Sequence, residues 1–164
     1  MAIQTINKYP SVISAAVLEK TSKPLRIVKL SFPKLKKGQV LVKIIYSGIC
    51  GSQLMEISGK RGKDNWLPHL LGHEASGEVL EVGSGVKKVK QSDKVILTWI
   101  KATGIEAKET AKYYSKKKLY NSGHVTTFSN YSIVSENRLI LMPRNLSYKE
   151  AVLFGCALPT GCGI

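Results

Sequence analysis

Side chains able to hold a soft metal are spread along the 164 residues: three cysteines, Cys50, Cys156 and Cys162, and three histidines, His69, His73 and His124. Two thiols and one imidazole form a plausible ligand set for zinc. The fourth position is left for water or a substrate oxygen, which is the catalytic pattern rather than the structural one. A structural site would close all four positions, usually with a C-x-x-C pair, and none of Cys50, Cys156 and Cys162 makes such a pair. Spacing alone leaves two readings open. A histidine beside apolar residues is also consistent with a satisfied structural role, and a free cysteine commonly packs as a small apolar residue.

The segments that must position these residues read mostly as β-structure. Apolar and β-branched runs at 12–18, 25–32 and 40–46 are separated by turn-forming or polar clusters such as Pro33 and Lys36-Lys37-Gly38. Residues 50–57 carry no proline and no glycine after Gly51, and predict a short helix with Ser52 near its start. Strand signals resume at 75–82 and 94–99, with glycines 77, 83 and 85 marking bulges or tight turns. From 100 to 123 the periodicity fades into Lys, Ala, Thr, Glu and Tyr, which predicts a lysine-rich lobe off the core, partly helical. β-character returns at 126–134 and 139–142. Ser147 with Glu150 three residues later then forms a capping-box pattern ahead of Ala151-Val152-Leu153-Phe154. The expected class is mainly β with short helices, an α+β barrel or sandwich in one domain spanning 1–164, and 43% hydrophobic content is enough to close a core.

The formal charge of +14 taken alone would point to nucleic acid, an anionic membrane or another polyanion. Only four of the 25 basic residues are arginines (Arg26, Arg61, Arg138, Arg144), whereas bidentate reading of bases or phosphates favours the guanidinium fork. The lysines are scattered, and the densest cluster, Lys116-Lys117-Lys118, reads as a solvated surface, with a weak polyanion or partner patch as the alternative. Nucleic acid is therefore not the expected partner. No stretch reaches the roughly 18 to 20 apolar residues needed to span a bilayer, and the N-terminus lacks the pattern of a secretory signal, so the expected location is cytoplasmic. Three cysteines without a signal argue for free thiols or metal ligation over a disulfide framework.

Local words sharpen this. Gly72-His73-Glu74-Ala75-Ser76-Gly77, then five residues to Gly83 and two more to Val86, is similar at every defined position to the signature G-H-E-x2-G-x5-G-x2-V of the medium-chain zinc-dependent alcohol dehydrogenase family. Ser47-Gly48-Ile49-Cys50-Gly51-Ser52 resembles the family segment that carries the first zinc ligand. Gly155-Cys156 and Thr160-Gly161 resemble the segment just before the coenzyme domain, and Asp93-Lys94-Val95 a family strand entry with Ser92 where glycine is usual. The resemblance runs from about residue 12 to 164 and implies a GroES-like domain, a partly open β-barrel, with Cys50, His73 and Cys156 holding one catalytic zinc. It further implies that Glu74 is a carboxylate behind the metal ligands, that Ser52 takes the substrate proton, that Thr160 lies near a nicotinamide and that Trp99 lines the substrate pocket. Ser52 and Thr160 would also serve as helix caps, Glu74 as an ion-pair partner and Trp99 as a core residue.

Departures from the family pattern matter. Many members carry an aspartate after the relay serine or threonine, where this chain has Gln53, and some carry a relay histidine where it has Met55. The proton must then leave by water, or by His69 or His124 if the fold brings either close. The four-cysteine cluster of a second, structural zinc is absent from 100–123, so a single zinc is expected, with Cys162 a structural thiol. No G-x-G-x-x-G follows a strand, so the Rossmann domain that would bind NAD or NADP is expected outside this chain. The expectation is half of an active site, from a fragment or a split protein, that is inactive alone. It would act on a small alcohol or carbonyl once joined to the coenzyme domain, as a homo-oligomer when full length. The competing expectation is a metal-free GroES-like binding module whose basic lobe meets a polyanion or protein partner. A zinc-free reductase of the same superfamily is disfavoured, because all three ligand positions are filled.

Overall fold

The computed structural model describes residues 11–163. Among the described residues ten strands form two five-stranded sheets, and the helices are short. The first sheet has the order β4-β1-β2-β7-β8, built from β1 (Val12–Leu18), β2 (Arg26–Ser31), β4 (His69–Leu70), β7 (Tyr113–Ser115) and β8 (Lys118–Tyr120). The second has the order β10-β6-β5-β3-β9, built from β3 (Gln39–Ser47), β5 (Ala75–Val82), β6 (Lys94–Leu97), β9 (Tyr131–Ser135) and β10 (Leu139–Leu141). All pairings within the sheets are antiparallel.

Side-chain alternation along β3 and β9 decides where the core sits. Leu41 and Ile133 face one buried cluster with Ile13, Val17, Leu30 and Tyr113, while Val40, Val42 and Val134 face a second with Val79, Val95 and Leu97. The second sheet is thus apolar on both faces, and the near-continuous burial of Gln39 to Val42 follows from its central place in it. The sheets are joined where the chain enters β9: Phe128 O accepts from Ala16 N at 2.8 Å, Asn130 N donates to Ser14 O and Asn130 O accepts from Ile44 N. Backbone groups spent on this joint are unavailable to a regular ladder, which is why the strand expected from residue 126 begins only at Tyr131. The result is a nearly closed barrel.

Residues 100–123 differ from the expectation of a lobe that is in part helical. The segment contains the β7–β8 hairpin, which adds to the edge of the first sheet through Ser31 and Tyr114. Tyr113 is fully buried and its hydroxyl accepts from Ile133 N at 2.9 Å, and with its buried cross-strand partner Tyr120 it anchors the hairpin into the core. The lysine cluster forms the turn, with Lys116 at a positive φ, and Lys118 pairs with Glu19 at 2.6 Å. No helix among the described residues is long and apolar enough to cross a membrane.

Candidate metal centre

Antiparallel pairing collects the chemistry-bearing segments at one end of the second sheet. The end of β3 lies against the start of β5, with Ser47 opposite Ala75, so the segment carrying Cys50 runs beside His73 and Glu74. Register shifts between Leu41 and Val42 and between Ile44 and Tyr46 bend β3 on its way there. The start of β5 also pairs with the end of β6, Ala75 opposite Leu97, which delivers Thr98 and Trp99 to the same place. Thr98 then donates its hydroxyl to Gly155 O at 2.7 Å and ties in the segment carrying Cys156. Two glycines allow the crowding. Gly72 holds φ +90° with a Cβ position blocked by Thr127 and Phe128, and a Cβ on Gly155 would strike Glu74 and the carbonyl of Leu97.

Cys50 caps helix α1 (Gly51–Ile57), and its backbone N–H donates to Gln53 Oε1 at 3.0 Å. The Ser52 backbone N–H and then its hydroxyl hold the Cys50 thiol below its ordinary pKa. Cys156, which follows helix α2 (Tyr148–Ala151) and precedes helix α3 (Ala157–Gly161), is pushed up by burial. Burial, and secondly the Arg61 charge, lower the pKa of His73 and favour the neutral imidazole that can ligate a metal. The three donor atoms all lie within 4.8 Å of one another. Cys50 and Cys156 are free thiols with Sγ atoms 3.9 Å apart. Two sulfurs bound at about 2.3 Å to a tetrahedral zinc would be about 3.8 Å apart. His73 Nδ1 meets the Gln53 side-chain nitrogen, while Nε2 is buried without a hydrogen-bond partner. An imidazole with an unpartnered buried nitrogen, converging with two sulfurs at this spacing, fits zinc.

The other expected residues are placed as follows. Glu74 is buried, and its partner is the Ala157 backbone N–H at 3.1 Å, so the carboxylate braces the turn after Cys156. Ser52 lies one residue inside α1, whose cap is Cys50, and its hydroxyl points to the Cys50 sulfur. Thr160 lies near the end of α3 rather than at its cap, its Oγ1 3.6 Å from Cys156 Sγ. Trp99 is 49% exposed, so a core role does not apply. Met55 and Cys162 are exposed. His69 and His124 border, with Gln53 and His73, one pocket of ≈ 480 Å³.

Gln53, singled out in the sequence as standing where many family members carry an aspartate, is 3% exposed and contacts both ligand-bearing segments. One feature was not legible in advance. Glu56, Asp64 and His69 also converge: His69 Nε2 lies 2.7 Å from Asp64 Oδ2 and 3.7 Å from Glu56 Oε1, with Nδ1–H donating to Leu70 O. Only His69 carried a sequence signal, as a histidine four residues before His73.

Residues 36–144 match the alcohol dehydrogenase GroES-like domain family. S-(hydroxymethyl)glutathione dehydrogenases of Escherichia coli O6:H1 and of Synechocystis sp. are each 31% identical, over 91% of this chain and 47% of their own length. The chain thus spans about half the length of these curated relatives. Among solved structures, an alcohol dehydrogenase zinc-binding domain protein from Burkholderia ambifaria superposes with a TM-score of 0.81 at 23% identity, covering 93% of this chain and 47% of that one. Benzyl alcohol dehydrogenase from Acinetobacter calcoaceticus gives 0.75 at 22% identity, covering 94% and 47%. The barrel, the three converging ligand segments and these matches together make the chain a member of the medium-chain zinc-dependent alcohol dehydrogenase family, represented here by its GroES-like domain.

Proposed function

We propose that this chain is the metal-holding catalytic domain of a zinc-dependent, NAD(P)-linked dehydrogenase of small alcohols or polyols, with one zinc held by Cys50, His73 and Cys156. The observation that carries the reading is the convergence of a His73 ring nitrogen and two free thiols within 4.8 Å of one another, with the imidazole Nε2 buried and without a partner. When bound, zinc supplies Lewis acidity, polarising a substrate oxygen so that hydride transfer to or from a nicotinamide becomes easier. The chain's own residues do the rest. Ser52, whose hydroxyl donates toward the Cys50 sulfur, would take the role of proton carrier. Glu74 fixes the turn that presents Cys156. Trp99, half exposed beyond Thr98, forms a wall of the substrate cleft, and Thr160 faces the nicotinamide. Hydride transfer also needs the coenzyme held against the substrate, so this domain by itself turns nothing over.

Zinc analysis of the purified protein tests the assignment. One zinc per chain is expected in the wild type and none in Cys50→Ala or Cys156→Ala. Metal-free protein that ignores added zinc, or variants that keep it, would overturn the site.

A further inference from the structure

Gln53 stands between a backbone N–H and an imidazole nitrogen and has one acceptor atom. Its Oε1 takes the Cys50 backbone N–H at 3.0 Å, which leaves its NH2 group against His73 Nδ1. In that arrangement Nδ1 accepts, so the neutral imidazole carries its proton on Nε2, the buried nitrogen without a partner. A metal at Nε2 requires the proton to sit on Nδ1 instead. Nδ1–H would then face the amide N–H, donor against donor. Turning the amide over repairs that contact and creates the same conflict at Cys50 N–H. Whichever way the amide points, the metal-bound state leaves one buried donor of this pair without an acceptor; in the metal-free state both contacts are satisfied and the unpaired donor is His73 Nε2–H, the hydrogen a metal would have to displace. The side chain is 3% exposed, so water has little room to fill the gap.

Resting on the zinc reading above, we infer that Gln53 is a positioning residue that weakens the metal centre, keeping the zinc exchangeable by holding His73 in the tautomer that cannot ligate through Nε2. A carboxylate of the same shape would satisfy Cys50 N–H with one oxygen and His73 Nδ1–H with the other.

The test is competition between the protein and a chromophoric chelator for zinc, with nitrogen-15 NMR of the His73 ring in metal-free protein. Gln53→Glu is expected to bind zinc about 10- to 100-fold more tightly than wild type. Met55→Glu, which adds the same charge on the exposed side of the helix without reaching His73, should change affinity by no more than about threefold. The ring proton should sit on Nε2 in metal-free wild type and on Nδ1 in metal-free Gln53→Glu. Equal affinities for Gln53→Glu and wild type, or a gain matched by Met55→Glu, would overturn the inference. A wild-type ring already protonated on Nδ1 would do so as well, and needs no variant to fold. These failures differ from that of the zinc site itself, in which wild type takes up no zinc at all.

Discussion

Two buried side chains at opposite ends of the domain meet the backbone in opposite ways. Glu136, 2% exposed at the start of a 3₁₀ turn (Glu136–Arg138), accepts from Lys87 N and Lys88 N through Oε1 at 2.6 and 2.7 Å and from Ile105 N through Oε2 at 2.6 Å. Every demand is for an acceptor, and a carboxylate is all acceptor. Burial alone would raise its pKa, but the N–H groups of Ile105, Lys88 and Lys87 hold it below the ordinary carboxylate value. Gln53 has half the acceptors: its single oxygen takes the Cys50 N–H and its NH2 group meets Nδ1 of a His73 ring whose Nε2 has no partner. A buried polar group answered entirely from within the chain is architecture. One left short marks the place where something from outside enters.

Making the two ends alike should break the contrast. The largest effect expected is from Glu136→Gln, which sets an NH2 group against a backbone N–H in the loop joint and costs about 3 kcal/mol in urea unfolding at pH 7. Zinc affinity should stay as in wild type. The folded pKa of Glu136 is depressed from its ordinary 4.5, so its contribution is present above that value and lost as pH falls through the folded pKa. The gap between wild type and Glu136→Gln should therefore narrow below about pH 4.5.

Slightly smaller is the stabilisation by the metal itself. At zinc about 100-fold above Kd the wild type should gain about 2.7 kcal/mol against unfolding, and Cys156→Ala should gain nothing. Thr98→Val removes the hydroxyl that holds the Gly155 carbonyl, and should cost about 1 kcal/mol of stability together with a several-fold loss of zinc affinity. A change that moved stability and left zinc binding untouched would place Thr98 with Glu136 rather than with the metal centre. The smallest effect belongs to Glu19, whose carboxyl is lowered to about 2, first by Lys118 and then by Tyr120. With Lys118 and Arg26 largely in solvent, Glu19→Gln should cost about 0.5 kcal/mol at pH 7. That cost should vanish as pH falls from 4.5 toward about 2, and fade with added salt.

Much of this organisation was legible in the chain because it is local. The runs at 12–18 and 75–82 became β1 and β5 with those bounds, since period-two burial is written in adjacent residues. Ser147 and Glu150 form their capping box around a helix that continues only as a 3₁₀ turn, Val152–Gly155, before Cys156. The segment 113–120 was less readable. Lysines and tyrosines carry no clean period, and its pairing partner, Ser31, lies 83 positions from the Tyr114 carbonyl its hydroxyl meets.

The amino-acid sequence by itself determined the ligand types, their order and the words around them, because a metal-binding vocabulary is a matter of residue identity and short spacing. It also determined most strand positions and the departures at Gln53 and Met55. Only the tertiary structure decided that two sulfurs 106 positions apart would stand 3.9 Å from each other, that His69 and His124 would border the pocket of His73, and that one amide would answer both Cys50 and His73. The physical reason is that donor and acceptor counts are closed in space. Which oxygen faces which N–H depends on strands paired across the chain, and no window of sequence contains both partners.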